Sequence, residues 1–268
     1  MTCARIVTGA RGLVGATLAD HLAQLPGTLL AIDTRPARHQ VIGADAAGEE
    51  FPALLATHLR SASRAELYHT AGHIPELARI TDILPQDFAR TVADNLTTTY
   101  SALRTFALTT RQLNVPAAAV VLSSVGASRA HRYLVGYDAA KAGIESLVRS
   151  FTVEFGAELA VRALALGPLA QSASTAADGD RLPALLALVP RGTYADLYDV
   201  AHAIAAFGGP EFDATAGHTL TLDGGLSIQL RPAGIERPPA DARTPRPARE
   251  EVDTGHHPSR NQHPGGPR

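Results

Sequence analysis

The chain has 268 residues, 45% of them hydrophobic and 19% charged, which is enough apolar material for one full core and too little charge for a chain that stays unfolded. A formal net charge of −2 offers no basic footprint for nucleic acid. No apolar run approaches the roughly 18 residues that cross a bilayer, and the opening Met1-Thr2-Cys3-Ala4-Arg5 lacks the build of a secretion signal. These features predict a cytoplasmic protein with no membrane or nucleic-acid partner. The lone Cys3 excludes an internal disulfide and has no thiolate-stabilising neighbours in sequence, so it reads as a bystander.

The first apolar run, residues 4–8, reads as a strand and leads through Gly9-Ala10-Arg11-Gly12-Leu13-Val14-Gly15 into a helical pattern over 16–25. Glycines at 9, 12 and 15 let the backbone turn tightly, and a pyrophosphate is stabilised where such a loop meets a helix N-terminus. A second strand, 29–32, ends at Asp33, placed to accept hydrogen bonds from an adenosine ribose. That carboxylate opposes a 2′-phosphate, whereas Arg11 and Arg35 would welcome one. The contest predicts NAD(H) as the preferred cofactor, with NADP(H) as the alternative. Asp45 either touches the adenine or serves as a turn residue.

Further strands are predicted over 67–70, 118–123, 161–166 and 218–222, and helices over 87–113, 137–159 and 196–207. This alternation favours an α/β fold, a Rossmann-like doubly wound parallel sheet in a single domain, residues 1–230. Between the last two helices, 169–194 reads as a small substrate lid, with Ser172, Ser174, Thr175, Asp178 and Asp180 followed by an apolar helical stretch. From 231 to 268 there are eight prolines and few large aliphatics, which predicts a disordered tail. Its His256, His257 and His263 lack a scaffold, so no metal site is predicted.

Tyr137 and Lys141 stand four apart, on one face of the predicted helix. Lys141 is the chain's one lysine against 23 arginines, which suggests a task that a guanidinium cannot perform. An ammonium near a phenol lowers its pKa, as a general acid/base working near neutral pH requires. Ser124 closes the apolar run Val120-Val121-Leu122-Ser123, and alternation along that strand aims Ser123 the other way.

With these residues the sequence resembles the short-chain dehydrogenase/reductase family, from about Ala4 to Ser227. The resemblance implies that Ser124 hydrogen-bonds the substrate oxygen, Tyr137 exchanges its proton, and Lys141 binds the nicotinamide ribose and tunes Tyr137. It also implies that Asn95 supports a proton-relay water, the other reading being a polar residue of the helix interior. Ala71 and Gly72 after the strand predicted over 67–70, and Pro168 after Gly167, stand at cofactor-contacting positions of the family. The match is a mosaic. The Gly9-x-x-Gly12-x-x-Gly15 spacing and Tyr68-His69-Thr70-Ala71-Gly72 are similar to the extended, epimerase-like branch. The later motifs, including Thr221-Leu222-Asp223-Gly224-Gly225, are classical, although Pro168-Leu169 replaces the usual Pro-Gly and Leu164 an expected asparagine. Only about 70 residues separate the catalytic helix from the tail, too few for a second domain, which favours the classical architecture. The implied activity is hydride transfer between NAD(P) and the carbonyl or secondary alcohol carbon of a small, partly apolar substrate, in a homodimer or homotetramer. An epimerase- or dehydratase-like enzyme and a non-catalytic dinucleotide-binding regulator are the alternatives.

Overall fold

Parallel strands buried on both faces need apolar runs joined by crossover helices, and the chain supplies both. The protein is seen here as a computed structural model that describes residues 2–35, 40–170 and 182–231. Its strands are β1 (Cys3–Thr8), β2 (Thr28–Asp33), β3 (Val41–Gly43), β4 (Arg64–His69), β5 (Ala117–Ser124), β6 (Leu159–Leu166) and β7 (Thr219–Leu222). All pair in parallel, in the order β3-β2-β1-β4-β5-β6-β7. The helices are α1 (Leu13–Leu22), α2 (Phe51–Leu59), α3 (Pro85–Val92), α4 (Thr98–Leu113), α5 (Val135–Phe155), α6 (Leu182–Leu186) and α7 (Leu197–Gly208).

Alternation along the strands divides the core in two. Ile6 and Val121 pack with Leu55, Phe106, Ile144 and Phe151 from α2, α4 and α5. Val7 and Val120 pack with Leu18, Val200 and Ile204 from α1 and α7. The result is the doubly wound sheet the pattern predicts, and its strand order reverses beside β1, where such sheets open a ligand crevice at their carboxyl ends.

Sequence pattern alone predicts neither β3 nor α2. β3 is only three residues long, and α2 is a short helix opened by Pro52 in its first turn. α1 begins three residues before its expected start, because Gly12, in extended conformation, already takes the cap position. The helix expected over 87–113 is continuous but not uniform: between α3 and α4, Ala93–Thr97 form a turn of π-helix, a feature frequent at functional sites. Of the expected lid, residues 171–181, including Ser172, Ser174, Thr175, Asp178 and Asp180, lie outside the described residues. The expected tail does too, from 232 onward.

Away from the C-terminal strand ends, a charged network crosses the sheet. Glu66, 5% exposed, accepts from Arg5 Nε at 3.2 Å, Arg64 Nε at 3.1 Å and the Tyr68 hydroxyl at 2.9 Å. Arg64 continues to Asp213, which also accepts from Arg162 Nη2 at 3.0 Å. Arg162 is wholly buried, and its Nε finds no partner among the described residues. Cys3 sits beside this network, where burial first and Glu66 second push its thiol to about 11, consistent with an unreactive thiol.

Candidate active site

The loop leaving β1 is shaped by three glycines. Gly9 takes φ +72, and a Cβ there would stand 2.6 Å from the Ala71 nitrogen. A Cβ on Gly15 would collide with the Gly9 carbonyl oxygen and the Thr70 hydroxyl. The loop is thereby drawn tightly against the end of β4, and α1 begins with no side-chain cap and no acid in its first turn. Its positive end is left open to an anion. Six of the predicted residues, Gly9, Gly12, Asp33, Asp45, Ala71 and Gly72, line one cavity of about 450 Å³. Thr34, Arg35, His69 and Thr70 complete much of its wall. Arg11, Leu13, Gly15 and Pro168 do not line it. Arg11 reaches the site through its backbone N–H, Leu13 is half-exposed on the first turn of α1, Gly15 packs beneath the loop, and Pro168 follows β6. Glycine loop, open helix end and cavity together fit a dinucleotide.

Asp33 combines both of its expected neighbours in an arrangement the sequence does not reveal. One carboxylate oxygen accepts from the Arg35 backbone N–H at 3.0 Å and Arg35 Nε at 2.7 Å. The other accepts from the Arg11 backbone N–H and Arg35 Nη2, both at 2.9 Å. Arg35's side-chain hydrogen bond, more than any other influence, holds this carboxyl down at about 2. Asp33 and Arg35, which sequence reasoning sets against each other over a 2′-phosphate, are thus paired: Asp33 is buried, while the Arg35 side chain remains half-exposed. Asp45 lines the cavity and also forms a turn, its carboxylate accepting from the Ala47 N–H at 2.9 Å.

At the other end of the site, β5 delivers Ser124 and the first turns of α5 deliver Tyr137 and Lys141. The Ser124 Oγ accepts from the Gly126 N–H at 3.1 Å. Ser123 points oppositely, as alternation requires, and its hydroxyl donates to Glu145 at 2.8 Å. Burial pushes the Tyr137 phenol above its ordinary pKa, the neighbouring Ser124 hydroxyl pulls it down, and the Asp138 carboxylate adds to the rise. The Lys141 ammonium lies 5.4 Å from the centre of the Tyr137 ring and donates to the Leu122 carbonyl at 2.9 Å. Burial brings this amine down to about 8. The lowering of the phenol that sequence reasoning assigns to the lysine is thus corrected: the phenol is raised, by burial first, and the lowering influence on it comes from Ser124.

Asn95 lies wholly buried in the π turn. Its Nδ2 donates to the His73 and Thr91 carbonyls, and its Oδ1 accepts from the His73 N–H. A Cβ on Gly72 would stand 2.9 Å from Asn95 Oδ1 and 3.5 Å from Lys141 Nζ, so three predicted residues converge there. Sequence reasoning names His69 only within the Tyr68–Gly72 motif similar to the extended branch and gives it no role in the site, although it lines this cavity.

A family model described as enoyl-(acyl carrier protein) reductase matches residues 31–227. The chain is 29% identical over 259 residues to a short-chain type dehydrogenase/reductase of Sinorhizobium fredii, covering 90% of this chain but only 46% of that relative's length. It is 27% identical over 244 residues to a D-threitol dehydrogenase of Mycolicibacterium smegmatis, covering 84% of this chain and 92% of the relative. Among solved structures, levodione reductase superposes with a TM-score of 0.75 at 19% identity, covering 85% of this chain and 98% of the other. An Agrobacterium tumefaciens structure with bound NADP gives 0.72 at 20% identity, covering 85% and 97%. These two likenesses speak for the fold.

Proposed function

Because this chain belongs to the short-chain dehydrogenase/reductase family, we propose that it transfers hydride between NAD(P) and the carbonyl or secondary alcohol carbon of a small, partly apolar substrate. The observation that carries the reading is the meeting of Ser124, Tyr137 and Lys141 at the C-terminal ends of strands that also form the glycine-lined cleft. The bound dinucleotide would supply the hydride carrier. Gly9, Gly12 and the start of α1 would hold its pyrophosphate and Asp33 its ribose. Ser124 holds the substrate oxygen, and Tyr137 gives or takes the proton on that oxygen. Oxidation or formation of NAD(P)H across a panel of ketones, alcohols and polyols tests this, polyols being included for the D-threitol dehydrogenase relative. Net turnover supports the reading. Tightly held cofactor without net change would favour an epimerase-like enzyme, and binding without chemistry a regulator. The same reading makes the protein a homodimer or homotetramer built on α4 and α5, whose Tyr100, Leu108 and Val153 are exposed. Among the described residues no helix is long and apolar enough to cross a membrane.

A pH signature accompanies the mechanism. A phenol whose pKa is raised stays protonated through neutral pH, so the acid needed for carbonyl reduction is present there, while the base needed for alcohol oxidation is scarce. Initial rates at saturating cofactor should therefore rise steadily with pH in the oxidative direction and stay nearly flat through neutral pH in the reductive one. An oxidative rate that is flat from pH 6 to 9 would contradict this.

Cofactor choice follows from hydrogen-bond exchange at Asp33. Ribose hydroxyls are donors and can replace the two Arg35 side-chain donors one for one. A 2′-phosphate cannot donate, so NADP would draw Arg35 away and leave a buried carboxylate short of donors beside a dianion. NAD should be preferred by about tenfold or more in kcat/KM, a difference of about 1.4 kcal/mol. Asp33→Ala should narrow or reverse that ratio by freeing Arg35 for the phosphate. Paired kinetics with the two cofactors decide it, and an unchanged ratio in the variant would refute the reading.

A further inference from the structure

His69 closes β4 inside the cleft and has no part in the reading above. Its ring is fully buried, with Nδ1 2.7 Å from the Thr8 hydroxyl and Nε2 without any partner among the described residues. A buried, unpartnered ring nitrogen is costly unless something completes it. Lys141 has the opposite need. Its ammonium carries three donors on a residue only 5% exposed, and among the described residues the one hydrogen bond seen for it goes to Leu122. Asn95 has little left to offer: both Nδ2 donors are engaged, and its main-chain carbonyl already accepts from the Thr99 and Thr98 hydroxyls at 2.6 and 3.3 Å.

We infer that His69 is a positioning residue for Lys141, its Nε2 accepting a hydrogen bond relayed by one water from the ammonium, so that Thr8 and His69 brace the amine in its charged form from the β1–β4 side. The inference rests on the dinucleotide-oxidoreductase reading for its purpose, though not for its test. The tautomer follows from charge. His69 pairs in register with Val121, next to the Leu122 carbonyl that receives the ammonium, and an N–H turned toward that charge would be repelled, so Nε2 carries the lone pair and Nδ1–H donates to Thr8. Burial, with Lys141 as the second influence, holds the imidazole at about 3, so it stays neutral and able to accept. The other titratable groups around the amine are Tyr137 on its own helix, Glu145 one turn on and engaged by Ser123, and Asp94 at the cleft wall.

With a single lysine, ¹⁵N-lysine labelling reports Lys141 as one side-chain resonance, without cofactor or turnover. In the wild type it should titrate near 8. His69→Asn, which keeps a polar group near Thr8 but lacks the Nε2 position, should lower that titration by about one unit, since the ammonium loses its acceptor. His69→Gln, whose amide reaches the Nε2 position, should restore most of it. Equal titration in wild type and a folded His69→Asn overturns the inference. If His69→Asn does not fold, the wild-type ¹⁵N-imidazole spectrum decides. The histidine that stays neutral down to pH 4 should carry its proton on Nδ1, and a proton on Nε2 overturns the inference. Failure here leaves the catalytic reading standing, and an inactive enzyme with the predicted titration leaves the brace standing.

Discussion

Tyr137→Phe should lower kcat by at least about a thousandfold while dinucleotide affinity stays within about twofold. The substitution deletes one hydroxyl from a half-buried ring, leaving its packing on α5 and the cleft between β1 and β4 untouched. Removing a positioned general acid/base commonly costs 10²–10⁴ in rate, and the upper part of that range applies where no other acid stands on the reacting oxygen. Ser124 is the nearest hydroxyl, but an unperturbed serine is far too weak an acid to replace the phenol. Lys141→Arg should fail as well despite keeping the charge. Lys141 is 5% exposed, its ammonium donating to the Leu122 carbonyl 5.4 Å from the centre of the Tyr137 ring, and a larger planar guanidinium should not keep that compact donor's place. Single-turnover rates and fluorescence titration with NADH separate chemistry from binding. Wild-type turnover in Tyr137→Phe would remove the phenol from the mechanism.

Glu66→Ala should destabilise the fold by about 3 kcal/mol, because it leaves the Arg5 and Arg64 guanidinium groups and the Tyr68 hydroxyl facing an empty buried site. For a chain of this size that corresponds to a fall in Tm of roughly 6–12 °C. Arg162→Met is the informative contrast. It removes a wholly buried cation whose Nε lacks a partner among the described residues, and Arg64 still holds Asp213. Its cost should stay within about 1 kcal/mol. Urea unfolding of the two variants reads both numbers. Equal losses would mean that the network acts through packing rather than charge.

The sheet was legible because parallel strands such as Val161–Leu166 have no polar side to blur their pattern, apart from Arg162. The glycine loop was legible because a backbone forced against β4 admits only glycine at 9 and 15. Tyr137 and Lys141 were legible because helical spacing alone brings them together. The Asp33–Arg35 pairing was not: two residues apart on a strand end, they meet only because the chain turns immediately after β2, and nothing in the spacing reveals that turn. His69 was hidden for a related reason. A polar residue at a strand end has many ordinary uses, and only the packing of Thr8 beside it and Lys141 beyond it exposes the unanswered ring nitrogen.

The π turn at Ala93–Thr97 sets the helical phase of everything before it. A single extra residue rotates the preceding turns by about 100°, and with that offset α3 lays Thr91 against Gly136 of α5 while α4 lays Leu103 and Phe106 on the sheet. Removing one residue from this stretch would give a more regular helix, yet only one of the two halves could then stay docked. Asn95 apart, the segment should accordingly accept changes of side chain far better than any change of length, and insertions or deletions here would be felt at His73 and Gly72, which Asn95 holds in place from within the turn.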